Sequence, residues 1–258
     1  MKKQPFFSII YEDETIMAVN KASGISVGGS RWDDSKERLD KILAACVRHN
    51  SAAAPARLFT VHRIDCGTSG LVVFAKDEVT HHRLSAAFEE RQVKKRYIAV
   101  VHGRPLWNET ACDLPLVPDG NKLHLTIVDK YRGKKSFTGF RLLGSAGNFS
   151  VLEALPETGR THQIRVHAAA LGFPVVCDTL YGKDRPVLLS SFKRDWRGDP
   201  LEEKPLLIRL GLHAAALDLP APSGPGVLSL RAPLPRDMAA LVRQMEKAAG
   251  QAFMTGTV

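Results

Sequence analysis

The sequence predicts an α+β fold with a mixed, largely antiparallel β-sheet flanked by helices and loops. Strand-like and helix-like segments follow one another without the regular βαβ rhythm that a parallel sheet requires. Residues 106–140 alternate turn signals with short β-rich pieces such as LHLTIV and KSFTGF, a pattern typical of antiparallel strands. The 258 residues are 44% hydrophobic, which is enough to bury a sizeable core in one large domain or two small ones.

The chain opens with a predicted hairpin and helix. SIIYEDETIMAVNKASG, residues 8–24, has a short strand, an acidic turn and a second strand that ends in glycine. SKERLDKILAACVRHN, residues 35–50, spaces Leu39, Ile42, Leu43 and Cys46 at helical intervals and predicts an amphipathic helix. The apolar start is broken by acids too early for a signal peptide, and no later segment is long enough to span a membrane.

Two strands and a helix are predicted in the middle of the chain. LVVFAK, residues 71–76, and KRYIAVVHG, residues 95–103, are compact apolar runs that predict strands. Between them, VTHHRLSAAFEERQV places Leu84, Ala87, Phe88 and Arg91 one helical turn apart, so a helix is expected there.

A third helix is predicted after the strand NFSVLEALP. Thr161 is the expected N-cap, Ile164, Ala168 and Leu171 share one face, and Gly172 ends the helix. This helix places Arg165 close to its N-terminus. Further on, the charged residues 183–205 predict a surface loop, LGLHAAALDL returns to an apolar pattern, and a helix is expected from Asp237 to Ala249.

Charge and cysteine content restrict the classes of function. Lys and Arg total 36 against 27 Asp and Glu, so the net charge is +9 and nucleic acid is the first partner to consider. Many basic proteins bind no particular polyanion, and charge alone leaves this open. Cys46, Cys66, Cys112 and Cys177 form no CxxC pair, which argues against a zinc ribbon or a disulfide framework and favours a reducing cytoplasm. The glycine clusters lack the phosphate-loop pattern of nucleoside triphosphatases.

Three residues have side chains suited to chemistry on a nucleic acid. Asp65, in VHRIDCGTSG, precedes a Gly-rich turn at the start of a strand, where a reactive group can be exposed yet held; alternatively it caps the turn. Arg165 could hold a carboxylate through paired hydrogen bonds, or it faces solvent. Tyr97 lies on a strand beside basic residues and could stack on a base, or it is half-buried core.

The histidines allow another interpretation. His62, His162 and His167 could form an acid and base pair for RNA cleavage, although their spacing defines no nucleophile and no ligand set. A structural role for each of these histidines is the alternative.

Four segments of the chain resemble the conserved blocks of the pseudouridine synthases of the RluA family. They are HRIDCGTSGLVVFAK, KRYIAVVHG, ETGRTHQIRVHAAALGFPVVCDTLYG and LGLHAAALDL, in this order. The similarity extends from about Tyr11 to about Leu219. It implies the pseudouridine synthase catalytic core, an RNA substrate of ribosomal or transfer type, and a reaction without metal or organic cofactor.

The resemblance also implies roles for individual residues. Asp65 matches the catalytic nucleophile, Tyr97 would stack on the target uracil, and Arg165 would pair with the catalytic carboxylate. Arg63 would fill the gap left when the base flips out of its stack. The other residues expected to bind substrate are His62, Thr68, Arg160, His162 and Gln163.

The implied reaction is the isomerisation of uridine in RNA, in which the bond from nitrogen to sugar is exchanged for one from carbon 5. Whether Asp65 attacks the base, attacks the sugar or removes a sugar proton stays open at this point. We expect a monomer that acts in the cytoplasm, without a membrane partner. The alternatives are a non-catalytic RNA-binding or chaperone module on the same scaffold and a histidine-dependent RNA-cleaving enzyme.

The chain departs from the family pattern at several positions. NKASG stands where the family has NKPAG or NKPSG, so Ala22 lacks the fixed φ of proline. Cys66 and Gly67 replace a charged pair, and Cys177 replaces a glycine. Because the core begins almost at once, we expect one catalytic domain over residues 1–258 without a separate N-terminal RNA-binding domain. Residues 183–205 are then either an RNA contact loop or a merely solvated one.

Overall fold

The computed structural model describes residues 6–29, 37–50 and 57–253. The chain divides into two compact units, Met1–Lys95 with Ala214–Pro233 and Arg96–His213 with Leu234–Val258. Strands and four α-helices occur in the described residues, and the predicted α+β class is confirmed. The expectation of a single catalytic domain stays a prediction.

The strands and helices have the following bounds. The strands are β1 (Phe7–Glu12), β2 (Ile16–Lys21), β3 (Phe59–Thr60), β4 (Ser69–Ala75), β5 (Lys94–His102), β6 (Glu109–Cys112), β7 (Leu116–Val117), β8 (Ile127–Val128), β9 (Thr138–Ala146), β10 (Phe149–Pro156), β11 (Leu212–Pro220) and β12 (Val227–Arg231). The α-helices are α1 (Leu39–Asn50), α2 (Glu78–Glu89), α3 (Gln163–Ala170) and α4 (Arg236–Ala249).

The first unit is built on a sheet with the strand order β1-β2-β4-β11, with β3 beside β4 and β12 beside β11. The predicted hairpin of residues 8–24 is confirmed as the antiparallel pair β1–β2. Its turn is closed by Asp13, whose Oδ1 accepts hydrogen bonds from the N–H groups of Thr15 and Ile16, each at 2.8 Å. The strand predicted at LVVFAK is β4, and all of its residues are buried.

The core of the first unit lies between this sheet and α2. Leu71 and Val73 of β4 pack with Leu84 and Ala87 of α2 and with Leu217 of β11. Helix α2 is confirmed at the predicted place, and Asp77 caps it by accepting a hydrogen bond from the Thr80 N–H at 2.8 Å. Because α2 ends at Glu89, Arg91 lies beyond the helix that the spacing had included.

Helix α1 is confirmed with one correction. Leu39 and Leu43 are buried as the helical spacing predicted, but Cys46 is exposed and does not extend the apolar face. The helix begins at Leu39, and part of the segment predicted before it, residues 35–36, lies outside the described residues.

The second unit contains the antiparallel strand order β5-β10-β9-β6 and a separate hairpin of β7 and β8. Ile164 and Ala168 of α3 pack on this sheet with Ala99, Leu152 and Phe140. The C-terminal helix is confirmed as α4, which buries Met238, Leu241, Val242 and Met245 along one face. The predicted surface loop of residues 183–205 is confirmed as mostly exposed chain without strands.

The expected N-cap of α3 was wrong. The residue that flanks the helix is His162, not Thr161, and it makes no side-chain cap hydrogen bond. Its φ of 54° is left-handed, whereas a capping threonine needs an extended backbone. The turn is held instead by Gln163, whose N–H donates to the Arg160 carbonyl at 3.1 Å.

Candidate active site

Asp65 lies on a tight turn directly before β4, as the sequence predicted. The Thr68 N–H donates to the Asp65 carbonyl at 3.0 Å and closes the turn. Asp65 is half-buried, whereas Thr68 has only 1% of its surface exposed. A carboxylate at this point is accessible while its backbone is fixed by the strand that follows.

Gly70 explains why glycine is needed just after this turn. Its φ is +116°, and a Cβ at this position would lie 2.2 Å from the carbonyl oxygen of Ala214 in β11. No other residue type tolerates both the conformation and the close approach. The glycine therefore lets β4 start immediately behind the Asp65 turn.

Lys21 stabilises this turn through hydrogen bonds to backbone carbonyls, although the sequence analysis had not singled it out. Its side chain is fully buried, and Nζ donates hydrogen bonds to the carbonyls of Ala22 and Ile25 at 2.9 Å and of Cys66 at 3.1 Å. Three carbonyl oxygens match the three donors of an ammonium group and compensate the loss of water. The only sequence signal was a lysine at the end of the apolar run IMAVN.

The NKASG loop makes further bonds to the residues that follow Asp65. Ser23 Oγ donates to the Gly67 carbonyl at 2.6 Å, and the Gly24 N–H donates to the Cys66 carbonyl at 2.8 Å. Ala22 occupies the family's proline position, and its N–H donates to the Phe6 carbonyl at 2.8 Å. Proline has no N–H, so this hydrogen bond replaces the restriction of φ that was lost.

His62 has a structural environment. Its ring stacks on Phe88 with 4.6 Å between ring centroids, and its Nε2 accepts a hydrogen bond from the Val73 N–H at 3.1 Å. Burial, reinforced by the charge of Lys95, lowers the pKa of His62 to about 3. The ring is therefore neutral at physiological pH with its proton on Nδ1, and it is a poor acid for RNA cleavage.

The depressed pKa of His62 predicts acid sensitivity. In the unfolded chain the pKa of this histidine is about 6.5, so between about pH 6.5 and 3 the unfolded state binds more protons than the folded state. The free energy of unfolding therefore decreases as the pH is lowered through this window. At pH 5 the loss from His62 is about 2 kcal/mol. In urea unfolding, the free energy of unfolding of wild type should fall by that much more between pH 7 and 5 than that of His62→Gln, whose side chain keeps an acceptor for the Val73 N–H. Equal losses would contradict this assignment.

Arg63 and Cys66 flank Asp65 on the chain. Arg63 is exposed, whereas Cys66 is half-buried and free, in contrast to the buried thiols of Cys112 and Cys177. Burial raises the pKa of Cys112, and it raises the pKa of Cys177 to about 11. Reactive thiolate is therefore disfavoured at these two positions.

This contrast predicts a selective alkylation. Iodoacetamide should modify Cys66 and the exposed Cys46 in the native protein and spare Cys112 and Cys177, as peptide mass spectrometry can show. Modification beside Asp65 should lower turnover in wild type but not in Cys66→Ser. If alkylated wild type keeps full turnover, the expected sensitivity is wrong.

Arg165 is buried in the second unit and forms a bidentate ion pair. Nε donates to Oδ2 of Asp178 at 2.8 Å, and Nη2 donates to Oδ1 at 2.7 Å. Only 6% of Arg165 is exposed, which excludes the solvent-facing alternative. Of the two alternatives that the sequence left open, Arg165 thus holds a carboxylate through paired hydrogen bonds, and the partner is Asp178, which the sequence analysis had not considered. Its pairing with the catalytic carboxylate stays a prediction.

Asp178 is kept ionised by its neighbours. Burial alone would raise its pKa, but the hydrogen bonds and charge of Arg165 outweigh that effect. The N–H groups of Leu180 and Tyr181 also donate to Oδ1, at 2.9 and 3.2 Å, and the pKa of Asp178 is lowered. The guanidinium is therefore oriented by a charged and fully coordinated carboxylate.

Tyr181 connects Arg165 to the β7–β8 hairpin. The guanidinium carbon of Arg165 lies 5.0 Å from the centre of the Tyr181 ring. The Tyr181 hydroxyl accepts a hydrogen bond from the Thr126 N–H at 2.9 Å and bonds to Nδ1 of His162 at 2.9 Å. Asp178 and Tyr181 both belong to the block CDTLYG, whose match to the family was the available signal.

Gln163 supports the loop before α3. Its Oε1 accepts from Thr158 Oγ1 at 2.7 Å and from the Arg160 N–H at 3.0 Å, and its Nε2 donates to the Phe137 carbonyl and to Thr138 Oγ1, each at 2.9 Å. These four bonds use the whole capacity of the amide. Gln163 therefore positions the half-buried Arg160 through the backbone.

His167 is also structural. Its Nδ1 bonds to Thr138 Oγ1 at 3.0 Å, and its Nε2 bonds to the Leu114 carbonyl at 2.9 Å. Burial lowers its pKa. His62 and His167 both have protein partners that explain them, so these two rings give no support to an acid and base pair for RNA cleavage.

Tyr97 lies on β5 opposite Ala154 of β10. The residue is half-buried and packs against the core of the second unit. Its expected stacking on uracil stays a prediction.

Comparison with known proteins assigns the chain to a family. The family model for RNA pseudouridylate synthase matches residues 15–170. Ribosomal large subunit pseudouridine synthase D of Zymomonas mobilis is 32% identical over an alignment of 242 residues that covers 92% of this chain and 72% of that protein. An uncharacterized RNA pseudouridine synthase of Bacillus subtilis is 32% identical over 239 residues, with coverages of 93% and 73%.

Solved structures agree on the fold. Human RNA pseudouridylate synthase domain containing 4 superposes with a TM-score of 0.71 at 22% identity, covering 93% of each chain. The chain belongs to the RNA pseudouridylate synthase family, and the resemblance to the RluA group is confirmed. It is an isomerase that converts uridine to pseudouridine in RNA. Among the described residues, none of the helices has the length and apolarity needed to cross a bilayer.

Proposed function

We propose that this pseudouridine synthase modifies ribosomal RNA of the large subunit, with Asp65 as its nucleophile. The names of several relatives refer to the ribosomal large subunit, which favours ribosomal over transfer RNA. The observation that carries the assignment of Asp65 is its position in the HRIDCGTSG block on a turn fixed between Lys21 and β4.

The proposed roles follow from the chemistry of the reaction. The bond from uracil N1 to the ribose breaks, a bond from C5 to the same ribose forms, and the proton on C5 is released while N1 gains one. The ionised Asp65 would attack the base or the sugar, or remove a sugar proton, and each route needs an oriented carboxylate. Breaking and remaking the bond requires a base that has left its stack.

Arg165 is proposed to pair with the Asp65 carboxylate during catalysis. Guanidinium has five N–H donors, and the two that bind Asp178 set the direction of the rest. Tyr97 is proposed to stack on the uracil, and the exposed Arg63 to fill the place of the extruded base. His62, Gln163 and Thr68 contribute by holding the segments that carry these residues, and Arg160 and His162 by binding substrate.

The cellular context is also part of the proposal. We propose a monomer with one catalytic domain that acts in the cytoplasm. The free thiols of Cys46, Cys66, Cys112 and Cys177 support a reducing compartment.

Release of the C5 hydrogen provides the test. Transcripts of large-subunit ribosomal RNA and of transfer RNA, labelled with tritium at uridine C5, are incubated separately with the purified protein. We expect release of tritium to water from the ribosomal transcript, with RNA of unchanged length and mass. Release from transfer RNA alone would contradict the proposed substrate. Carbodiimide mapping of pseudouridines in a deletion strain, rescued by wild type, then identifies the uridine.

A further inference from the structure

The loop around the β7–β8 hairpin carries a concentrated positive charge. Residues 121–135, here called the basic loop, contain five basic residues and one acidic residue. All five basic side chains are exposed; they are Lys122, Lys130, Arg132, Lys134 and Lys135. The surface loop of residues 183–205, by contrast, contains six basic and five acidic residues and is close to neutral.

The one acidic residue of the basic loop accepts hydrogen bonds from the backbone of the same loop. Asp129 Oδ1 accepts hydrogen bonds from the N–H groups of Tyr131 at 2.9 Å and Arg132 at 3.0 Å, and Oδ2 accepts from Arg132 Nε at 2.8 Å. The Arg132 N–H is the largest of the effects that lower the pKa of Asp129 to about 2. Asp129 therefore stays ionised and closes this turn through its hydrogen bonds.

Tyr131 stands at this turn with 99% of its surface exposed. A tyrosine ring buries a large apolar area in most contexts, so full exposure leaves a flat hydrophobic face without a protein neighbour in the described part of the chain. Basic residues precede and follow it directly. An aromatic ring surrounded by cations has the composition of a platform on which an unpaired base stacks while its phosphates meet lysine and arginine.

The basic loop is also connected to the Arg165 side chain within the second unit. The Thr126 N–H of the loop donates to the Tyr181 hydroxyl at 2.9 Å, and the Tyr181 ring faces the Arg165 guanidinium at 5.0 Å. The loop is therefore anchored at Thr126 to a residue that contacts Arg165, five residues before Tyr131.

We propose that Tyr131 is a stacking platform for an unpaired nucleotide of the RNA substrate, and that the flanking basic residues bind its phosphates. This inference rests on the proposed function only in that the substrate is RNA. It assigns substrate binding to the basic loop rather than to residues 183–205.

Binding of two short oligomers tests the platform. A fluorescein-labelled 12-nucleotide oligoadenylate and an abasic 12-mer with the same backbone are titrated with wild type and Tyr131→Ala at low salt. We expect Tyr131→Ala to bind oligoadenylate at least about fivefold more weakly and to bind the abasic oligomer like wild type. The double variant Lys134→Gln/Lys135→Gln should weaken both and should flatten the salt dependence. Leu201→Ala, which removes another exposed apolar side chain (93% exposed), is the control and should bind like wild type.

The outcomes separate this inference from the proposed function. Equal binding of oligoadenylate by wild type and Tyr131→Ala, or an equal loss with both oligomers, overturns the platform. At saturating substrate, Tyr131→Ala should release tritium at the wild-type rate, with the defect confined to KM. Absence of turnover in wild type would refute the proposed function and leave the oligomer result standing by itself.

Discussion

Replacing Asp65 by asparagine is expected to reduce turnover by at least about 10³-fold while leaving RNA affinity within a few fold. Asparagine has nearly the same shape but no negative charge, so it can neither act as nucleophile nor accept a proton at neutral pH. The hydrogen bonds from Lys21 to the carbonyls of residues 22, 25 and 66 are retained in this variant, so the turn should persist. Tritium release and fluorescence titration measure the two quantities.

Two further variants make this result decisive. Asp65→Ala should be equally inactive, and it excludes recovery of activity through deamidation of an introduced asparagine. Cys66→Ser changes the neighbouring side chain of the same turn and should remain active. An Asp65→Asn protein with substantial turnover would refute the assignment of the nucleophile.

Asp178→Asn is expected to lower the free energy of unfolding by about 3 kcal/mol, because it leaves the buried Arg165 charge without its ionised partner. We also expect turnover to fall by about 100-fold, because the guanidinium loses the bidentate contact that orients it. The loss should appear in kcat rather than in KM. Urea unfolding and steady-state tritium release provide the measurements.

A second ion pair in the same unit is a matched control. Arg209 and Asp237 have the same bidentate geometry, with Nε–Oδ2 and Nη2–Oδ1 each 2.7 Å, but their side chains are 19% and 39% exposed. Asp237→Asn should therefore lower the free energy of unfolding by about 1 kcal/mol or less and leave kcat unchanged. If both variants lose the same stability and activity, the special role of the Arg165–Asp178 pair is wrong.

Local sequence patterns predicted most of the fold. The hairpin of β1 and β2, strand β4 and helix α2 each combine hydrophobic periodicity with turn or capping residues, and these signals act over a few positions. Thr161 failed as N-cap because the left-handed His162 and the bonds of Gln163 determine that turn.

The supporting residues of the site could not be predicted in the same way. Lys21 and Asp178 are charged residues that become fully buried, and only tertiary structure supplies the carbonyls and the arginine that compensate them. The backbone of Cys177 could not be predicted either. Its φ of 54° lies in the left-handed region that glycine adopts easily, which explains the family's glycine, but no pattern around Cys177 indicates this conformation. Asp65 and Arg165 were singled out by their local sequence context, and the family blocks then implied their specific roles.

The bonds made by Lys21 bear on how this sequence can drift during evolution. The three carbonyl oxygens that accept hydrogen bonds from its Nζ belong to the main chain, and every type of amino acid supplies such an oxygen. Substitutions at positions 22, 25 and 66 therefore change side chains without removing an acceptor. Ala22 and Cys66, which differ from the family pattern, are two such changes, and selection at these positions is left to act on other properties of the turn.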